Sequence, residues 1–247
     1  MDINPGYVIL HLTTPLLKTF ILSSSFTMLQ PSTLTFLKSL KKNNNKPWFD
    51  KNREKYDAGR SNFEELVNEL LHKMVAFDPD MKDLEAKKCM FRINRDVRFS
   101  KNKTPYKVNI SAYFSKGGKK SVNAGYYFQI QPDGKSFIGG GLWMPEATEL
   151  KKVRQEIDYS FPEFKKIISN PVFKKQYGEL EQEDKLVNVP KGYDKENPAA
   201  DFLKLKSFVA TKNISDEELL SPKFSSEIIV AFKALTPLLK FMNRAFD

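Results

Sequence analysis

Three apolar-alternating segments joined by glycine turns constrain this chain more than any other feature. Val108 to Phe114 (VNISAYF) sets Val108, Ile110, Ala112 and Phe114 against mostly polar neighbours, with Tyr113 the exception. Gly117-Gly118 makes a turn, Val122 to Gln131 runs back, and Pro132-Asp133-Gly134 turns again into Phe137 to Trp143. Connections this short join antiparallel neighbours, because a parallel crossover needs about a dozen residues or more. An antiparallel meander is expected here.

Helical patterns lie on both sides of it. Ser32 or Thr33 can cap a helix carrying Leu34, Phe36, Leu37 and Leu40, and Lys41 to Lys46 (KKNNNK) breaks it. From Trp48 and Phe49 a longer helix follows, with Tyr56, Phe63, Leu66, Val67, Leu70, Leu71 and Met74 at three- and four-residue steps, ending near Asp78-Pro79. Lys88 to Ile93 reads as a short strand. Pro145 and Glu146 open a helix with Leu150, Val153, Arg154 and Ile157. A second, with Phe161, Phe164, Ile167 and Ile168, is expected to end at Asn170-Pro171. Ser207 to Thr211 is a strand candidate, and Ser221-Pro222 starts a final amphipathic helix. The expected class is α+β, an antiparallel β-sheet (meander) flanked by several α-helices. Residues 28–247 are expected to form a single domain. Residues 1–27 are expected to lie outside the fold, as an upstream extension or misplaced start, with a weak leader as second choice. Their apolar stretch, Tyr7 to Leu22, is interrupted by His11, Pro15 and Lys18 and falls short of the about 20 residues of a membrane helix, so no membrane span is expected.

One Cys and two His exclude an internal disulfide framework and most zinc sites, and a His-based nucleophilic enzyme would have to use His11 or His72 alone. No metal and no cofactor are expected, and the expected location is cytoplasmic. Gly117 to Ser121 lacks the spacing of a phosphate loop, and Gly139-Gly140-Gly141 lacks that of a dinucleotide fingerprint. Glycines within a strand mark a bulge or a close approach to the backbone.

Charge is the stronger functional hint. Between Lys87 and Lys120 stand eleven Lys and Arg residues and one acid, Asp96, so this window carries the whole formal excess of +10. Within it, Arg92, Arg95 and Arg98 recur every third position, with Asp96 between two of them, followed by Lys103, Tyr106 and Lys107. Arginine grips phosphate or carboxylate with two donors at once. Ser100, Thr104 and Pro105 suggest an irregular loop, which Phe99 and Tyr106 could anchor. Asp96 could orient one guanidinium and leave the others free. The competing reading is an Arg–Asp network that ties the loop to the sheet. Gly140 and Trp143 are candidates for a pocket wall.

The chain resembles domain-of-unknown-function family 2461. The resemblance rests on Phe91-Arg92 through Arg95-Asp96-x-Arg98-Phe99-Ser100, on Lys103-Thr104-Pro105-Tyr106-Lys107, and on Gly139-Gly140-Gly141-x-Trp143-x-Pro145 followed by Leu150 and Arg154. Trp48-Phe49 with Asn52 and Tyr56 extends it, over roughly residues 31–245. Asn102 stands where members commonly have Asp. The resemblance implies an α+β domain and brings no activity with it. Three functional readings follow from the residues. The preferred one is a binding module for an anionic ligand, a phosphate-bearing molecule or nucleic acid, through the Arg/Lys-rich loop. The alternatives are an enzyme on a small phosphorylated or carboxylated substrate, with Asp96 or Tyr106 as acid or base, and a structural or partner-docking protein. The sequence leaves the oligomeric state open.

Overall fold

The computed structural model describes residues 27–247. The expectation for the preceding segment concerns residues outside this range, apart from Thr27. The elements run α1 (Pro31–Lys42), α2 (Lys46–Lys51), α3 (Arg53–Met74), α4 (Ala86–Cys89), β1 (Ile110–Phe114), β2 (Gly125–Ile130), β3 (Ser136–Leu142), α5 (Ala147–Tyr159), α6 (Phe161–Ile168), α7 (Pro171–Tyr177), α8 (Ala200–Leu203), β4 (Phe208–Ile214), α9 (Asp216–Leu219) and α10 (Phe224–Asn243). The class is α+β. The four strands form one antiparallel sheet in the order β1-β2-β3-β4.

The tight turn between β2 and β3 sets their register. Within the five-residue connection 131–135, Asp133 and Gly134 both adopt positive φ, 68° and 66°, and reverse the chain. The Asp216 carboxylate accepts from both their amides, at 3.2 and 3.0 Å, and joins the turn to the start of α9. Ile110 then faces Ile130, Ala112 faces Phe128, and Tyr126 faces Gly140.

Alternation gives the sheet two unlike faces. The inner face, which includes Ile110, Ala112, Phe114, Tyr126, Phe128, Ile130, Ile138 and Ala210, is buried. Helices α3 and α10 lie on it. The Phe63 ring is 5.0 Å from that of Phe128, and Phe232 meets both Phe114 and Tyr126. The Tyr126 hydroxyl donates to Asp78 Oδ2 at 2.7 Å and lies 3.0 Å from Thr236 Oγ1, so the one polar group among these rings is satisfied. The outer face carries Ser111, Tyr113, Tyr127, Gln129, Phe137, Gly139, Gly141 and Thr211, and several of these touch loops. Tyr113 donates its hydroxyl to Asn123 O, Thr211 bonds Glu181, and Phe91 lies against Tyr127.

The strand glycines are required by close approach. At Gly140 a Cβ would be driven into the Gly125 carbonyl and would come to 2.7 Å from Leu235 Cδ2 of α10. Gly141 has φ +133°, with the Phe208 backbone against it.

Three local expectations change. The long helix expected from Trp48 to Met74 is two, because Asn52 breaks it with φ −113° and ψ 19°. Lys88 to Ile93 is not a strand. Lys88 and Cys89 lie in the single turn α4, and only an isolated bridge, Met90 to Ala112, touches the sheet. Asn170 does not simply end a helix. Its side chain accepts from Val172 N and starts α7, with Pro171 at its first turn. The buried apolar residues of the described chain form one contiguous cluster.

Two outcomes follow. Gly140→Ala should lower the denaturant midpoint by the equivalent of about 1–3 kcal/mol, the usual cost of overpacking, measured by urea unfolding. Burial works to raise the Glu69 pKa, but bonds from Lys73, Ser225 and the Thr27 amide outweigh it and hold the carboxyl at about 2. Its unfolded value is 4.5. Its contribution to stability is therefore complete above that pH and is lost as the pH falls toward 2, and Glu69→Gln should flatten this acid limb of the stability–pH curve.

Candidate functional site: a basic cleft beside a braced loop

After α4 the chain follows the edge of β1, with Phe91 N donating to Ser111 O at 2.9 Å, and then leaves the sheet as a loop. The neck of the loop is closed by a bridge between Asn94 and Tyr106. Arg95 N donates to Pro105 O, and Lys107 N to Ile93 O. Tyr106 is the anchor. Its ring stacks on Phe49 at 4.1 Å, and the Asn44 side chain bonds both its backbone N–H and its carbonyl.

Inside the neck, Arg95, Arg98 and Lys103 are occupied. Arg95 donates to the carbonyl and hydroxyl of Thr104, at 3.0 and 2.5 Å, and to Ser100 Oγ at 3.3 Å. It braces the loop from within through neutral oxygens. Arg98 forks onto Asp96, with Nη2 2.6 Å from Oδ2. That bond holds the Asp96 carboxyl below its usual range and raises Arg98. Lys103 donates to the carbonyls of Val97 and Arg98. At the tip Phe99 is 95% exposed.

Outside the neck the cations converge differently. A cleft of ≈ 560 Å³ lies between α3, the segment from Lys87 to Asn94, and Lys119 of the β1–β2 connection. Helix α3 contributes Arg53, Tyr56, Asp57 and Arg60, which at steps of three and four share one face. The other walls supply Lys87, Met90, Phe91, Arg92, Ile93, Asn94 and Lys119. Five of these side chains are cationic, and the single acid, Asp57, bonds Arg53 at 3.2 Å. Lys87 reaches Glu64 only at 3.8 Å, and Arg60 has a long 3.5 Å contact with the Tyr56 hydroxyl. Arg92 is exposed and makes no hydrogen bond or ion pair among the described residues.

Phe91 collects two more charges. Lys119 Nζ lies 5.1 Å and Lys107 Nζ 5.2 Å from its ring centroid. Lys119 also donates to Met90 O. Both amines are held below the ordinary lysine range. For Lys107 the causes are burial, then the charges of Arg92 and Lys119. For Lys119 burial leads and Arg60 adds to it, while Cys89 opposes. Burial pushes the neighbouring Cys89 thiol up to about 11. A smaller cleft of ≈ 240 Å³ adjoins, lined by Lys46, Phe49, Asp50, Arg53, Tyr56, Ile93, Asn94 and Tyr106.

Among the residues singled out from sequence, Arg92 lines the larger cleft and Tyr106 the smaller, and Lys107 reaches the larger through Phe91. Arg95, Asp96, Arg98 and Lys103 belong to the loop and line neither. Gly140 lies beneath α10, and Trp143, 74% exposed, sits just past β3; neither lines these clefts. Sequence reasoning missed Arg53 and Arg60 as site residues. Their signal was present, two arginines at steps of three and four from Tyr56, along the edge of the apolar face of α3. Among the described residues no group of three or more His, Cys, Asp and Glu is placed to hold a metal, and no helix is long and apolar enough to cross a membrane.

Arg95→Ala should loosen the loop without unfolding the protein. Trypsin should cut faster after Lys101 and Lys103, while global stability falls by only about 1–2 kcal/mol.

A family model described as "Conserved hypothetical protein (DUF2461)" matches residues 32–241, a span that contains every residue of both clefts. No curated protein and no solved structure matches the chain.

Proposed function

The chain belongs to the DUF2461 family of conserved hypothetical proteins, and we propose that it is a binding module for a phosphate-bearing anion, held in the cleft between α3 and the segment from Lys87 to Asn94. One observation carries the reading. Arg92 makes no hydrogen bond or ion pair among the described residues, and Asp96, which feels its charge, is forked by Arg98; the cleft gathers Arg60 and Lys119 as well, and the one acid lining it is already bonded to Arg53. Like charges brought together without compensation oppose the folded state, and an anion relieves them. The lysines beside Phe91 are lowered mainly by burial, with the same repulsion as a second cause.

The binding surface proposed here is the cleft, not the loop tip. Arg95 and Lys103 use their donors on the loop, so the loop serves to hold Arg92 at its neck. Asp96 is engaged by Arg98 and Asp57 by Arg53, which favours binding over acid–base chemistry. A cytoplasmic location belongs to the same proposal, since a reducing compartment suits the free thiol of Cys89.

Pyrophosphate is the test ligand. Titration calorimetry at low salt should show saturable binding, and Arg92→Ala should weaken it about ten-fold or more, the usual worth of a charge-assisted hydrogen bond. Arg98→Ala, at the exposed end of the loop, should leave it unchanged. Affinity should fall as the pH rises toward the depressed pKa values of Lys107 and Lys119, earlier than for an ordinary lysine at 10.5, with protons taken up on binding. Absence of binding to the unsubstituted protein, or full binding by Arg92→Ala, would refute the reading.

A further inference from the structure

The cleft does not end at its cations. Phe91, which lines it, lies 6.2 Å from the ring of Tyr127, and Tyr127 lies 5.3 Å from Phe137. These rings form a row that leads from the cleft onto the outer face of the sheet, opposite to the face taken by α3 and α10. Tyr127 pairs directly with Gly139, and Gly141 follows on the same face, so β3 sets no side chain beside the rings there. Next to Tyr127 stands a group of amides. Gln129 accepts from the Tyr127 hydroxyl at 2.9 Å and from Asn109 at 3.3 Å, and donates to Gln131 at 3.1 Å. Half-buried rings, backbone without side chains and amides that both donate and accept suit flat heterocycles with polar edges. The cations at one end of the row suit a phosphodiester. Every base has a π-face, and only an unpaired strand offers that face to an aromatic side chain.

We infer that this face binds a single-stranded nucleic acid, its phosphates on Arg60, Arg92, Lys107 and Lys119 and its bases on the row from Phe91 through Tyr127 to Phe137. The inference rests on the proposed anion cleft and extends it to a class of ligand. A peptide rich in Asp and Glu would satisfy the cations but would leave the rings and amides unused.

The experiment is fluorescence anisotropy of the full chain with labelled oligouridylate and oligothymidylate, with a duplex of equal length and with pyrophosphate as competitor. Either single strand should bind more tightly than the duplex. Four phosphate contacts give a log–log salt slope of about −3, and Arg92→Ala should reduce it by about 0.7. Phe137→Thr and Tyr127→Thr keep strand propensity while removing a ring, and each should weaken binding about ten-fold. Phe99→Ala, at the tip of the loop, should not. As a measurement on the unsubstituted protein, a strand containing 5-iodouridine should photocrosslink at Phe91 or within residues 121–142. Binding of pyrophosphate without binding of either strand leaves the cleft standing and overturns this inference. Failure of both ligands overturns both readings. A duplex bound equally well, ring variants that bind normally, a Phe99→Ala loss in their place, or a crosslink elsewhere would each overturn the stacking face.

Discussion

A four-stranded sheet with helices packed on its inner face depends on how closely the last of those helices can approach. Gly140 faces α10 with no side chain, and Leu235 occupies the space a Cβ would need. The approach seats Phe232 against Phe114 and Tyr126, and from the other side Phe63 of α3 meets Phe128. Close packing of this kind makes the inner face insensitive to what lies outside it. The consequence is positional. The basic segment from Lys87 to Lys107 runs along the edge of β1, giving Met90, Ile93 and Tyr106 to the core while its exposed cations stay at the surface.

Placement there decides which positive charges are compensated. An exposed ion pair such as that of Arg98 with Asp96 contributes little to stability, and it removes both groups from the pool available to a ligand. Arg95 is withdrawn by a different route, through neutral oxygens. Arg60, Arg92, Lys107 and Lys119 are left near one another with no carboxylate bonded to them. Two of them adopt a cheaper arrangement over the face of Phe91, where the ring quadrupole offsets part of the repulsion. Burial holds both lysines below their ordinary range, and the neighbouring charges of Arg92, Lys119 and Arg60 add to it. An arrangement of this kind costs stability, and the anion-binding proposal rests on it.

Local chemistry made much of the fold legible in the sequence. The meander follows from period-two alternation and from Asp133-Gly134, a pair whose positive φ angles were written in its residue types. What escaped notice was decided at longer range. Asn52 interrupts an apolar rhythm that continues on both sides of it, so periodicity alone sees one helix. Lys88 to Ile93 alternates like a strand, yet the four residues from Ala86 to Cys89 close a helical turn first and leave Met90 as a lone bridge. At Asn170 a signal for stopping and one for starting coincide, because asparagine before proline serves either purpose. The cleft was half visible. Arg92 stood out by its neighbours, whereas Arg53 and Arg60 joined it only through the packing of α3 against the segment after α4.

The three arginines show most clearly where spacing stops being informative. Arg92, Arg95 and Arg98 recur at equal steps, and a regular element would have given them a common direction. The chain between them is not regular. It passes through a neck closed by Asn94 and Tyr106, and the neck is held by the Tyr106 ring on Phe49 and by the two backbone bonds from Asn44. Arg92 precedes the neck and faces α3; Arg95 and Arg98 follow it and turn inward on the loop or out to Asp96. Equal intervals thus yield an unpaired guanidinium, a brace and an ion pair. The residues that separate these fates, Asn44 and Phe49, come from the segment before α3, more than forty positions away in the chain. Loop order and cleft charge are consequently separable properties, joined only at the neck.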